Sequence, residues 1–219
     1  MSKHQQIRKS IINVLSAAAC GLVLVSGGTA KAGGPLSEEQ ILNALTPPAP
    51  PIAHTRTLSL PPEQDPDQKN FIKGLRSNEM RPRGLTLDER NEVADIARQR
   101  PAVDLEIYFD YNSSEIAAKA VPDLMNLGRA LTNPNIQGGV FLVGGYTDAK
   151  GGQDYNQPLS ERRAQSVRQF LIQNFRIAPD SLVATGYGKD HLKNQADPFA
   201  AENRRVQVTN LQSKQEAEK

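Results

Sequence analysis

Val103-Asp104-Leu105-Glu106-Ile107-Tyr108-Phe109-Asp110 alternates with a period of two: Val103, Leu105, Ile107 and Phe109 on one side, Asp104, Glu106, Tyr108 and Asp110 on the other. That is the pattern of a half-buried strand. Upstream, Thr86-Leu87-Asp88-Glu89 is a capping box, and Val93, Ile96 and Ala97 line one helical face as far as Arg100-Pro101. The residue before a proline avoids the helical region, so the helix ends there. Downstream, Asn112-Ser113-Ser114 turns the chain into a helical stretch with Ala120, Leu124, Leu127 and Leu131 at helical spacing, closed by Asn133-Pro134-Asn135. Val140 to Tyr146 is a short, mostly apolar strand. After a polar, Gly-containing loop, Leu159, Ala164, Val167 and Leu171 share a helical face. Leu182 to Tyr187 reads as a third strand, and Arg205 to Leu211 as a fourth with Val206 and Val208 inward. The order β-α-β-α-β-β predicts an α/β fold (an α+β sandwich), with one mixed sheet and helices packed on one face.

The flanking regions differ in composition. Lys3, Arg8 and Lys9 precede an apolar run from Ile11 to Val25, and Ala30-Lys31-Ala32 follows as a small-x-small pattern. Residues 1–32 are therefore expected to be an export signal cleaved after Ala32, because the run is short of the ~20 residues a spanning helix needs. Retention of that segment as an anchor is the alternative. Residues 33–100 are expected to form a Pro-containing flexible spacer with short helices. Ser37-Glu38-Glu39-Gln40 is a capping box ahead of Ile41, Leu42 and Leu45, and Thr46-Pro47-Pro48-Ala49-Pro50-Pro51 stops that helix. The stretch from 33 to about 85 shows little sign of a core, so it is expected to be removable without unfolding the rest. Residues 101–211 are the folded domain, and 212–219 read as a charged tail.

Composition excludes several classes. Of 219 residues 38% are apolar and 5% aromatic, with no Trp, which allows one modest core and argues against a polytopic membrane protein. The formal +2 charge comes from the first 32 residues, which hold four basic residues and no acid; beyond them stand 22 basic and 24 acidic residues. A chain so balanced has no overall field for nucleic acid or an anionic membrane. The sole cysteine, Cys20, lies in the removable segment. His4, His54 and His191 have no partner at metal-ligand or triad spacing, and no nucleophile elbow, HExxH, phosphate loop or carboxylate pair at glycosidase spacing is present. No enzyme, cofactor or metal is expected.

The candidate site lies in Gly145-Tyr146-Thr147-Asp148-Ala149-Lys150 and Asn156-Gln157-Pro158-Leu159-Ser160-Glu161-Arg162-Arg163-Ala164. Asp148 leaves the C-terminal end of a strand, and Asn156 and Arg163 sit two turns apart near one helical face. If the loop folds the helix back on the strand, an acid and a guanidinium face one cleft. Such a pair suits an amino-acid zwitterion, the acid taking the ammonium and the planar fork the carboxylate. On spacing alone the plainer reading is stronger, with Asp148 a turn cap and Arg163 a solvated helix charge.

Tyr108-Phe109-Asp110-Tyr111-Asn112-Ser113-Ser114, Gly145-Tyr146-Thr147-Asp148, the Asn156–Ala164 run, Gly186-Tyr187-Gly188 and Asn203-Arg204-Arg205-Val206 occur in the order seen in the OmpA-like C-terminal domain family. About residues 101–211 resemble that family. The resemblance implies noncatalytic binding of cell-wall peptidoglycan, with Asp148 and Arg163 gripping the diaminopimelate of the stem peptide. Thr147, Asn156, Asp110 and Arg204 are further ligand-binding candidates by motif position. Residues 33–100 lack the ~10-residue alternating segments of an outer-membrane barrel. The implied location is the periplasm, alongside the outer membrane without being integral to it. The alternative function is a periplasmic envelope adaptor whose main ligand is another protein.

Overall fold

The computed structural model describes residues 34–47, 66–77, 84–109 and 112–212. The expected signal segment, most of the proline stretch, Asp110 and residues 213–219 of the expected tail lie outside the described residues, whereas Gln212, expected in that tail, ends the last strand. Helix α1 spans Glu38–Leu45, α2 Pro66–Arg76 and α3 Leu87–Ala97. Strand β1 (Ala102–Leu105), helix α4 (Val121–Leu131), strand β2 (Val140–Gly145), helix α5 (Gln153–Phe175) and strands β3 (Leu182–Gly186) and β4 (Val206–Gln212) follow. The order is the β-α-β-α-β-β of an α/β sandwich.

The four strands make one mixed sheet in the order β1-β4-β2-β3. β4 lies antiparallel to both β1 and β2, and β2 lies parallel to β3. Parallel neighbours require a crossover, and α5 supplies it. β1 ends sooner than its alternation suggests. Leu105 pairs with Val206, the first residue of β4, so Ile107 and Phe109 have no strand to pair with. Phe109 makes only an isolated bridge to Ile116.

Alternate strand residues fill two separate cores. Phe141 and Val143 of β2, with Val103, Leu105, Val206 and Val208, meet Leu124 and Leu127 of α4 and Val167 and Leu171 of α5. Val140 and Leu142, with Val183 and Leu211, meet Ile72 and Leu75 of α2 and Val93 and Ile96 of α3. Burial on both faces is why β2 reads as an unbroken apolar run. Helices α4 and α5 share one face, as the β-α-β-α-β-β unit predicts; the upstream helices α2 and α3 cover the other.

That finding corrects the expectation that residues 33–85 form little of a core: their described segments, 34–47 and 66–77, bury side chains in both cores. Both predicted capping boxes form, at Ser37–Gln40 and at Thr86–Glu89. Ile41 and Leu45 of α1 are wholly buried in the first core. Asn126 Nδ2 donates to the Leu36 carbonyl at 2.8 Å, and Asn210 Nδ2 to the Leu45 carbonyl at 2.9 Å. Helix α2, within the stretch expected to be spacer, opens on Pro66, whose ring restricts φ to values that suit a first helical turn.

Candidate functional site

Two glycines bring α5 onto the C-terminal ends of β2 and β3. A Cβ at Gly145 would lie 2.3 Å from the Ser160 carbonyl oxygen, and one at Gly186 2.3 Å from the Glu161 amide nitrogen. No other residue permits that approach. Side-chain bonds then fix the helix: Ser160 Oγ accepts from Gly188 N at 2.8 Å, and a Glu161 carboxylate oxygen accepts from Gly186 N at 2.5 Å. Burial raises the Glu161 pKa, partly opposed by that amide. The first half of α5 is thereby held beside the residues that leave β2.

Asp148 and Arg163 line one cavity of about 740 Å³, together with Thr147, Asn156 and Arg204. Asp148 Oδ1 accepts from Lys150 N at 3.0 Å, and its Oδ2 accepts from Arg204 Nη1 at 2.8 Å. The acid therefore caps its turn and also lines the cavity. Arg163 Nε donates to the Ser113 carbonyl at 3.0 Å, and its guanidinium lies 4.9 Å from the centroid of the Phe109 ring. Among the described residues its two terminal nitrogens make no hydrogen bond. Burial pulls the Arg163 pKa below its ordinary value, with Tyr155 and Asp148 opposing the shift. It remains a half-buried cation.

The remaining predicted residues divide by role. Thr147 is buried; its amide donates to the Gly188 carbonyl at 2.8 Å, and its hydroxyl has no partner among the described residues. Asn156, 2% exposed, donates Nδ2 to the Lys150 carbonyl at 3.0 Å, so it holds the loop that carries Asp148. Arg204 comes from the segment before β4, 56 residues beyond its partner Asp148. Asp110 lies outside the described residues. Phe109, Tyr155 and Phe199 also line the cavity and were not among the predicted ligand residues.

Arg205, next to Arg204, serves the scaffold. Its guanidinium lies 4.0 Å from the Tyr146 ring centroid, and Nε donates to Asp104 Oδ1 at 3.3 Å. Tyr146 stacks on Tyr187 with centroids 5.1 Å apart, and burial pushes its pKa up to about 12. Burial also acts to raise the Asp104 pKa, but the Lys193 hydrogen bond and the Arg205 charge outweigh it and leave a net lowering from 3.8. A carboxyl depressed in the folded state stabilises the fold above its unfolded pKa, and that contribution is lost on acidification through the folded value. Asp104→Asn is therefore expected to flatten the loss of melting temperature between pH 5 and pH 2, on the order of the carboxylate range. Identical acid-side slopes for the two proteins would contradict this.

Residues 108–205 match the OmpA family. The chain is 32% identical over 128 residues to outer membrane porin F of Pseudomonas aeruginosa, covering 57% of this chain and 34% of that protein. It is 35% identical over 94 residues to outer membrane protein A of Serratia marcescens, covering 43% and 26%. The chain thus spans about a third or less of these relatives' length. Among solved structures, the cell wall anchor of the T6SS from Pseudomonas aeruginosa aligns with a TM-score of 0.44 and 24% identity, over 57% of this chain and 96% of that one. The peptidoglycan-associated lipoprotein from Burkholderia pseudomallei aligns with a TM-score of 0.39 and 26% identity, over 47% and 86%. The family match takes in a little under half of the chain, and the domain built over residues 108–205 is OmpA-like.

Proposed function

We propose that this chain binds cell-wall peptidoglycan without catalysis, through the meso-diaminopimelate of the stem peptide, and so tethers or organises the cell envelope. Asp148 takes the side-chain ammonium and Arg163 the side-chain carboxylate. The observation that carries this reading is the half-buried Arg163 fork in the same cavity as Asp148, its two terminal nitrogens without a hydrogen bond among the described residues. A desolvated guanidinium gains most from a carboxylate that satisfies it bidentately. Thr147 and Asn156 hold the loop, and Arg204 orients Asp148 from the side. The match of residues 108–205 to the OmpA family supports the same ligand class. Export through a cleaved signal over residues 1–32 and a periplasmic location belong to the same proposal.

Wall chemistry tests it. Lysine at the same stem position offers the amine without the carboxylate and leaves the Arg163 fork unpaired. Diaminopimelate-type sacculi are expected to retain the protein tenfold or more over lysine-type sacculi, since ~1.4 kcal/mol is a factor of ten. Equal retention on both would reject the role of Arg163. Little retention on either would favour the adaptor reading, with another envelope protein as the main ligand.

A further inference from the structure

Two features of the cavity are left over when a zwitterion is placed between Asp148 and Arg163. The first is apolar. Phe199, 63% exposed, and Tyr155, 43% exposed, both line the cavity. Among the described residues only Leu87 and Tyr108 are other large hydrophobics so open to solvent. Neither aromatic is loose. Tyr155 donates its hydroxyl to Asn112 Oδ1 at 2.9 Å, and Asn112 is fixed in the left-handed region at φ 54°. The Phe199 amide donates to Asp197 Oδ1 at 3.1 Å, and the preceding Pro198 carbonyl accepts from Ala149 N at 2.9 Å. Beneath that loop the buried Asn203 donates Nδ2 to the carbonyls of Asn194 and Asp197, at 3.2 and 3.0 Å. With the Tyr155 ring tied by its hydroxyl and the Phe199 backbone pinned, little freedom is lost when a ligand covers them.

The second feature is charge. Lys150, Arg163 and Arg204 line the cavity against one described carboxylate, Asp148. Lys150 bonds through its main chain, its amide donating to Asp148 and its carbonyl accepting from Asn156. A side-chain ammonium and carboxylate together add no net charge, so they leave this cationic surplus in place.

Resting on the diaminopimelate reading, we propose that Phe199 and Tyr155, with Lys150 and Arg204, form a second subsite for the residue that follows diaminopimelate in the stem. The class of group that fits is a small apolar side chain ending in a free carboxylate, which is D-alanine at the end of a stem tetrapeptide. Its methyl group covers the aromatic rim, and its carboxylate meets the surplus cations. The next Cα of a peptide lies about 3.8 Å on, within the span of one cavity. The domain thereby distinguishes stems that end at diaminopimelate from those that continue past it.

Titration of the purified protein with two synthetic stem peptides tests the subsite, one a tripeptide ending in diaminopimelate and the other a tetrapeptide ending in D-alanine. The two carry the same net charge, so a difference reports the added residue and the new place of the carboxylate. The wild type is expected to bind the tetrapeptide about fivefold more tightly. Phe199→Ala should bring the two peptides to equal affinity, and amidating the tetrapeptide's terminal carboxylate should do the same with the wild type. Equal wild-type affinities, or a preference that survives both changes, would overturn the subsite and leave the pairing of Asp148 and Arg163 standing. Binding of neither peptide by the wild type would overturn both.

Discussion

Leu45→Ala is expected to lower the unfolding free energy by about 2–5 kcal/mol, the range for deleting a fully buried leucine from a core. Set against a total of roughly 5–15 kcal/mol for a domain, that is a large share. Leu45 is wholly buried within the core formed by α4, α5 and the sheet. Its carbonyl also accepts from Asn210, itself 2% exposed in the middle of β4. Removing residues 34–47 altogether adds the loss of Ile41 and leaves that Asn210 donor without its partner, at about 1–3 kcal/mol more. The exposed pair between Arg129 and Glu38, at 3.3 Å, contributes little by comparison. Urea titrations of the wild type and Leu45→Ala measure the effect, and coincident midpoints would mean that α1 merely rests on the surface.

Asp148→Ala and Arg163→Ala are each expected to remove most of the retention on diaminopimelate-type sacculi. Truncating one partner of a desolvated charge pair costs roughly 2–5 kcal/mol, about thirtyfold or more in affinity. The fold should survive both changes. Asp148→Ala removes a partly exposed pair with Arg204, worth ~0–1 kcal/mol, and one hydrogen bond from the Lys150 amide, worth about 1 kcal/mol. Arg163 loses one bond to the Ser113 carbonyl and its contact with Phe109. Arg163→Lys keeps the charge but not the planar fork, so it should recover only a minor part of the binding. Full recovery by lysine would show that a point charge suffices there.

Much of this arrangement is legible in the residues themselves. Periodicity marks β1, α4, β2 and α5 because each has a dense apolar face, and the capping boxes at Ser37 and Thr86 mark where α1 and α3 begin. Helix α2 escapes such a reading, since Phe71, Ile72 and Leu75 are its only large apolar residues and prolines surround it. Its burial comes from the sheet face it covers, which local pattern does not contain. The end of β1 is likewise set by where β4 begins. Spacing places Asp148 and Arg163 in reach of one cleft only if α5 closes on the sheet, and Gly145 and Gly186 are what allow it. The contacts of Asp148 with Arg204, and of the Ala149 amide with the Pro198 carbonyl, join segments about 50 residues apart. No local rule reveals them, and the exposed Phe199 goes unnoticed for the same reason.

Joint recognition of one zwitterionic group by Asp148 and Arg163 is tested most directly by a calorimetric double-mutant cycle with a diaminopimelate stem peptide. Residues that act on one ligand group together are strongly non-additive. The double variant Asp148→Ala/Arg163→Ala should therefore lose little more affinity than either single variant. Losses that simply add, or single variants that bind as tightly as the wild type, would contradict the site.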